Sequence, residues 1–301
     1  MPSCFISHTW REGEHHFAVR LSEALKQSSI TVWIDQERIM PVSHIKETIK
    51  KGVEHESDVF LFVMSPETLK SEMCMYELNL AIHQMEEHGK PVIPVLFKKC
   101  RIPDLLKNIC YADFRNELYF DAAVQHLLEG IRRAAEIRQL CLGLGRLDPE
   151  ERTEISKILG ELGDPVALGP LKNRLLFQEP DPTVRHWLAS AVGNIGGRKA
   201  VEILGQAMEE PDLHARLGVI RAMLKVSESP DEEIQDAVLE TLFEAIGSDS
   251  PNRRLCAVKV LIRLRQKNDE IESILSGLIY DPDNNVRDVA KEYFRKKGRM
   301  S

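Results

Sequence analysis

No stretch of this sequence reaches the roughly 18 consecutive apolar residues that a membrane-spanning helix needs, so no membrane partner is expected. The first residues show no basic segment followed by a long apolar run. No secretory leader is therefore expected, and the expected compartment is the cytoplasm. Cysteines are few and scattered: Cys4, Cys74, Cys100, Cys110, Cys141 and Cys256. None forms a C-x-x-C pair and no histidines cluster beside them, which argues against a zinc site or a redox dithiol. No metal site is expected, and most of these cysteines read as reduced core residues. Positive charge is not in excess: 40 Lys and Arg face 47 Asp and Glu, a net charge of -7. That balance disfavours a dedicated nucleic-acid surface. The one locally basic run, Arg295 to Arg299, reads as a solvated end.

What is present fits two domains, since 301 residues at about 150 per domain suggest that number. One stretch, Ser65 to Ala81 (SPETLKSEMCMYELNLA), organises the first. It follows Val59 to Met64, an unbroken apolar run expected as a strand buried on both faces. Ser65-Pro66 ends that strand, and Ser71 reads as the N-cap of a longer helix with Glu72 near its positive end. Cys74, Leu78, Ala81, Ile82 and Met85 recur at helical spacing and face the core. Glu77 falls on the border of that face. Spacing alone leaves it two readings: a solvated helix-edge charge, or a site carboxylate just past the carboxyl end of a strand, where open α/β sheets place ligands.

Strand and helix patterns alternate through residues 1–138. Short strands are expected at Cys4–Ser7, Ile30–Ile34, Val59–Met64, Pro91–Phe97 and Ile109–Phe114. Helices are expected after Gly13, over His44–Glu54, after Ser71, and from Phe120 to about Leu142. Alternation of this kind predicts a parallel, doubly wound sheet. Pro91 and Pro94 place the fourth strand's weak points at its ends or near a sheet edge.

These residues resemble a TIR domain over nearly all of 1–135. Cys4-Phe-Ile-Ser-His8 resembles the family's first box, usually F-I-S-Y. Trp33-Ile-Asp35 with Pro41-Val42-Ser43 and Ile45 resembles its BB loop. Ser65-Pro66 followed by Ser71-Glu-Met-Cys-Met-Tyr-Glu-Leu78 resembles S…S.WC..EL. His8 stands where the family usually has Tyr, Val42 where it usually has Gly, and Met73 where it often has Trp. The resemblance implies a flavodoxin-like five-stranded α/β fold. It also implies that Glu77 is the catalytic residue of NAD+ cleavage, with NAD+ as substrate and no further cofactor. Phe5, Ser7, His8, Thr9, Trp10, Trp33, His44, Ser71 and Met73 are the accompanying candidates for substrate contact. Trp33 also reads as a core residue, Ser71 as a helix cap and His44 as a solvated first-turn residue. In resembling enzymes the loop matching Arg38, Ile39, Met40, Pro41 and Val42 docks on a neighbouring TIR domain, which implies self-assembly.

Cys141 to Pro149 breaks the helical pattern, so a linker is expected over 139–149. From 150 to 301 only helical periodicity remains. Leu159-Gly-Glu-Leu-Gly163 matches Val192-Gly-Asn-Ile-Gly196, and Asp181-Pro-Thr-Val-Arg185 matches Asp281-Pro-Asp-Asn-Asn-Val-Arg287 with two residues more. Arg152, Arg185, Arg216, Arg254 and Arg287 recur at separations of 33, 31, 38 and 33. A period near 30–40 made of helix pairs predicts an α-solenoid. The pattern is similar to HEAT repeats, most clearly in 181–208, and about five helix pairs are expected. The repeated Asp and Arg are expected to bind one another or cap helices between repeats.

Two functions stand on this reading. One is a TIR-type NAD+ hydrolase or cyclase, controlled or scaffolded by a HEAT-like domain that carries an unidentified trigger site. Resembling prokaryotic proteins act in immunity by depleting NAD+. The other is a TIR adaptor that only assembles, which the departures at Val42 and Met73 favour.

Overall fold

The computed structural model describes residues 1–34, 57–264, 269–296 and 298. The chain divides into two compact units, Met1–Leu142 and Gly143–Ser301. The candidate loop Arg38 to Val42, the expected helix His44–Glu54 and the candidate His44 lie outside the described residues.

The first unit is a parallel sheet with strand order β2-β1-β3-β4-β5. Its strands are β1 (Ser3–Ser7), β2 (Thr31–Ile34), β3 (Val59–Met64), β4 (Val92–Leu96) and β5 (Ala112–Asp113). β3 sits in the middle, and all six of its residues are buried, as an apolar run covered on both faces demands. Pro94 lies inside β4, opposite Phe62 of β3. It is tolerated because β5 pairs only with Val95 and Leu96, so the outer side of Pro94 meets no ladder there. The expected fifth strand over 109–114 shrinks to these two residues.

Helix α1 (Glu12–Gln27) lays Phe17, Ala18, Leu21 and Leu25 on one sheet face, beside Phe120, Val124, Leu128 and Ile131 of helix α3 (Phe120–Gly143). Cys4 and Ile6 point to this side, while Phe5 points to the other. The other face is covered by α2 (Glu72–His88), which buries Cys74, Leu78, Ala81 and Ile82. Ser71 caps α2, accepting from Cys74 N–H at 3.3 Å. Gly89 ends it in the left-handed region, at φ 65°, where an L side chain is disfavoured. α3 continues through Gly143, because Ile137 and Cys141 keep the buried stripe going. The first residues of the expected linker are therefore helical.

The second unit is helical throughout its described residues. First helices α4 (Pro149–Leu162), α6 (Pro182–Ile195), α8 (Leu213–Ser227), α10 (Pro251–Leu264) and α12 (Asn284–Lys296) pack in a row, each on the next. Second helices α5 (Leu168–Asn173), α7 (Gly197–Ala207), α9 (Glu232–Ile246) and α11 (Asp269–Gly277) alternate with them. The repeated glycines have two separate causes. A Cβ on Gly193 would stand 2.7 Å from Ala222 Cα, so the first glycine permits close helix contact. Gly163 and Gly196 adopt φ of 65° and 71°, so the second one ends the helix.

The structure corrects one alignment. Asp181 caps α6 through Thr183 and Val184 N–H, and its equivalent is Asp283, which caps α12 through Asn285 and Val286 N–H. Asp281 corresponds instead to Glu179, and no insertion is needed.

Candidate functional site

The 2-1-3-4-5 strand order places its switch point between β1 and β3, and ligands of doubly wound sheets bind outside the carboxyl ends of strands at that point. Ser7 closes β1 there and Ser65 follows β3. α2 leaves the β3 side and packs back against β1.

Glu77 lies on α2 with 1% of its surface exposed, so the border position expected from spacing is a buried one. Cys74 stands one turn before it. Burial pushes the Cys74 thiol up to about 11, the Ser71 hydroxyl opposes that, Glu77 and Glu14 add to it, and the Ser7 hydroxyl lowers it. Ser7, Ser71, Glu77 and Glu14 thus all interact with the Cys74 thiol. Ser7 shares the strand face of Phe5 by the two-residue period. Its hydroxyl oxygen has no nitrogen or oxygen partner among the described residues. Phe5 lies beneath, stacked on Phe60 at 5.7 Å.

His8 turns to α1. His8 Nε2 and His15 Nδ1 are 3.0 Å apart. Burial, then the neighbouring His15, bring His8 down to about 4, against Glu14 and a backbone bond that raise it. The imidazole is neutral at neutral pH and packed on α1. Trp10 is 45% exposed and stacks on His15 at 5.3 Å. Trp33 and Met73 are partly buried against the α2-side core, and Ser71 serves as the cap described above.

A residue that sequence reasoning missed ties the two loops together. Glu14 is 2% exposed. Its carboxylate accepts from Thr9 N–H at 2.9 Å, Ser65 O–H at 2.5 Å and Thr68 O–H at 2.5 Å. It therefore joins the segments leaving β1 and β3 across the switch point. The signal was present: Glu14 precedes Phe17 and Leu21 by three and seven residues, so it sits on the apolar stripe of α1. Removing it leaves an N–H and at least one of the two hydroxyls, which lie 2.9 Å apart, buried without an acceptor. Glu14→Ala is expected to cost the first unit about 1–3 kcal/mol, read by denaturant unfolding; an unchanged midpoint would show that the network does not stabilise the loops.

Among the described residues, no group of three or more His, Cys, Asp or Glu side chains is arranged to hold a metal ion.

Residues 4–128 match the family described as TIR domain, and residues 184–210 match that described as PBS lyase HEAT-like repeat. No curated protein matches the chain. Among solved structures, the chain is similar to the TIR domain of the Toll-related receptor TRR-2 from Hydra magnipapillata. The identity is 21%, over 43% of this chain and 97% of that one, at a TM-score of 0.38. It is also similar to a structure of microtubule polymerases with TOG domain arrays, at 13% identity over 85% of this chain and 62% of that one, with a TM-score of 0.40. A designed armadillo repeat protein matches at 15% identity over 76% of this chain and 96% of that one, with a TM-score of 0.33. The chain carries a TIR domain at its N-terminal end, followed by a helical region with a HEAT-like repeat.

Proposed function

We propose that the TIR domain cleaves the nicotinamide–ribose bond of NAD+ with Glu77 as the catalytic carboxylate, and that the helical repeats control or scaffold it. The observation that carries this reading is the burial of Glu77 on α2, one turn after Cys74, whose thiol the Ser7 hydroxyl at the β1 end also reaches, within a domain of a family that includes NAD+-cleaving enzymes. The chemistry suits a lone carboxylate. Cleavage builds oxocarbenium-like charge on the ribose, as in glycoside hydrolysis. Nicotinamide departs from NAD+ as a neutral group, so no general acid is required. A fixed carboxylate out of bulk water stabilises that developing cation more strongly than one in solvent. Phe5, Ser7 and Ser71 are proposed to line the same pocket, with Ser7 available as a hydrogen-bonding group to substrate. In this reading the protein depletes NAD+ in immunity when a trigger engages the repeats.

The test is the full chain incubated with NAD+ while free nicotinamide is measured. Release of nicotinamide, with ADP-ribose or a cyclic isomer, supports the enzyme. Stable assembly without release supports the adaptor instead. Self-assembly makes a further expectation. Met40, in the stretch outside the described residues, belongs to an apolar cluster with Ile39 and Val42 beside Pro41. Clusters of that kind mark contact surfaces when exposed. Activity per molecule should rise with protein concentration and be much reduced in Met40→Asp. Activity strictly proportional to concentration and indifferent to Met40→Asp would assign the whole site to a monomer.

A further inference from the structure

The repeat unit contains an arginine ladder with one unmatched rung. Five arginines occupy one register on the first helices, and each donates to backbone carbonyls five and six residues before it. Of the four that a further first helix follows, three also fork onto an acid just ahead of that helix. Arg152 holds Glu179 at 2.7 Å on both oxygens, Arg185 holds Glu210 at 2.8 and 3.1 Å, and Arg254 holds Asp281 at 2.9 Å twice. In every case that acid also accepts the N–H two residues further on, from Asp181, Asp212 or Asp283.

The same position ahead of α10 is Ser248. Its hydroxyl accepts from Ser250 N–H at 3.2 Å, and its carbonyl accepts from Arg254 at 2.8 Å, as the carbonyls of Glu179 and Asp281 accept from Arg185 and Arg287. Arg216, the arginine that this position should answer, is 8% exposed. Among the described residues it has no carboxylate partner. Its Nε and Nη2, the edge that Arg152, Arg185 and Arg254 give to the acid, turn back to the carbonyls of Glu210 and Pro211. Glu210 itself is taken by Arg185.

A second cation stands at this joint. Arg253 replaces the buried apolar residue that precedes the ladder arginine in other repeats, namely Val184, Ala215 and Val286. Its Nε is buried and has no partner among the described residues. Cys256, one turn further on α10, faces the same side. Burial pushes that thiol up to about 12, with Arg216 the leading charge that opposes it. Side chains three apart on a helix are neighbours, so Arg253 and Arg216 approach one joint from α10 and α8. A buried cation without a counter-charge is costly, and paired guanidiniums are the usual receptors for phosphoryl dianions.

We propose that the joint between α8 and α10 is a phosphoryl site, in which a phosphate on Ser248 Oγ, or a free phosphate seated against Ser248, takes the place of the ladder acid and engages Arg216 and Arg253. In the covalent case a kinase transfers the terminal phosphoryl group of a nucleoside triphosphate. The Oγ–P bond forms, the anhydride P–O bond breaks, the diphosphate leaves and the hydroxyl proton is released. The bound phosphoryl group stiffens the repeat stack at its fourth first helix.

Two arms test this on the full chain, each read by melting of the helical unit and by hydrogen exchange over 213–227 and 248–264. The first arm compares wild type with Ser248→Glu and with phosphoserine installed at 248. The second compares millimolar inorganic phosphate with chloride at matched ionic strength. A rise of about 2–4 °C with slower exchange is expected in at least one arm, and it is expected to vanish in Arg216→Gln. A response in the first arm alone assigns the covalent source; a response in the second assigns a bound ligand. Silence in both arms overturns the proposal, as does a gain that survives Arg216→Gln. Should Arg216→Gln fail to fold, Arg253→Gln carries the same control.

Discussion

Glu77→Gln should leave a folded chain whose NAD+ cleavage falls by about 100-fold or more. Glutamine keeps the shape of the side chain and removes the charge, so what is lost is the stabilisation of cationic character on the ribose. Single preorganised groups of this kind are worth about 100- to 1,000-fold in turnover. The melting temperature must be read on the same sample. Glu77 is 1% exposed, and substitutions at buried sites can unfold a domain for structural reasons alone. The supporting result is therefore a variant that melts close to wild type and releases little nicotinamide. A folded Gln variant with wild-type turnover would remove Glu77 from the chemistry. Ser7→Ala separates binding from catalysis beside it: loss of a substrate contact made equally in the ground and transition states raises KM with kcat unchanged.

The fold was legible because its signals are local and redundant. The unbroken run Val59 to Met64 required a strand covered on both faces, and Ser71 marked the start of α2. The site was less so. Helical spacing placed Glu77 at the edge of a stripe, yet its burial depends on how α2 packs against β1, a contact between segments about seventy residues apart. His8 follows β1 in sequence like its neighbours, but the two-residue period turns it to α1, where His15 receives it. The Glu14 network needs three separate segments to meet, and no window of sequence contains them all. In the repeats, residue matching found the arginines. It matched Asp281 to Asp181, whose capping counterpart is Asp283, because both acids lie beside the same proline and only the hydrogen bonds tell them apart.

The same hydrogen bonds rank the ladder arginines. Arg254→Ala should destabilise the helical unit by about 3–5 kcal/mol, the range for breaking one side of a buried ion pair. Both partners are largely out of solvent, with side chains 10% and 3% exposed. The guanidinium makes two bonds to Asp281 and two more to the carbonyls of Ser248 and Asp249. Arg254→Lys should recover little, since an ammonium cannot form that planar fork. Arg216→Ala should cost less, about 1–3 kcal/mol, because it frees two carbonyls and strands no carboxylate. Acid should act on the same pair. Burial works to raise the Asp281 carboxyl, but Arg254 and the Asp283 N–H overcome it and hold it below its ordinary value. A carboxylate lowered on folding adds stability above its unfolded pKa of about 3.9 and loses it as pH falls from there. The difference in melting temperature between wild type and Arg254→Ala should therefore narrow as pH falls below about 3.9. Equal losses for Arg216→Ala and Arg254→Ala would mean that the carbonyl bonds, and not the cross-repeat fork, hold the solenoid together.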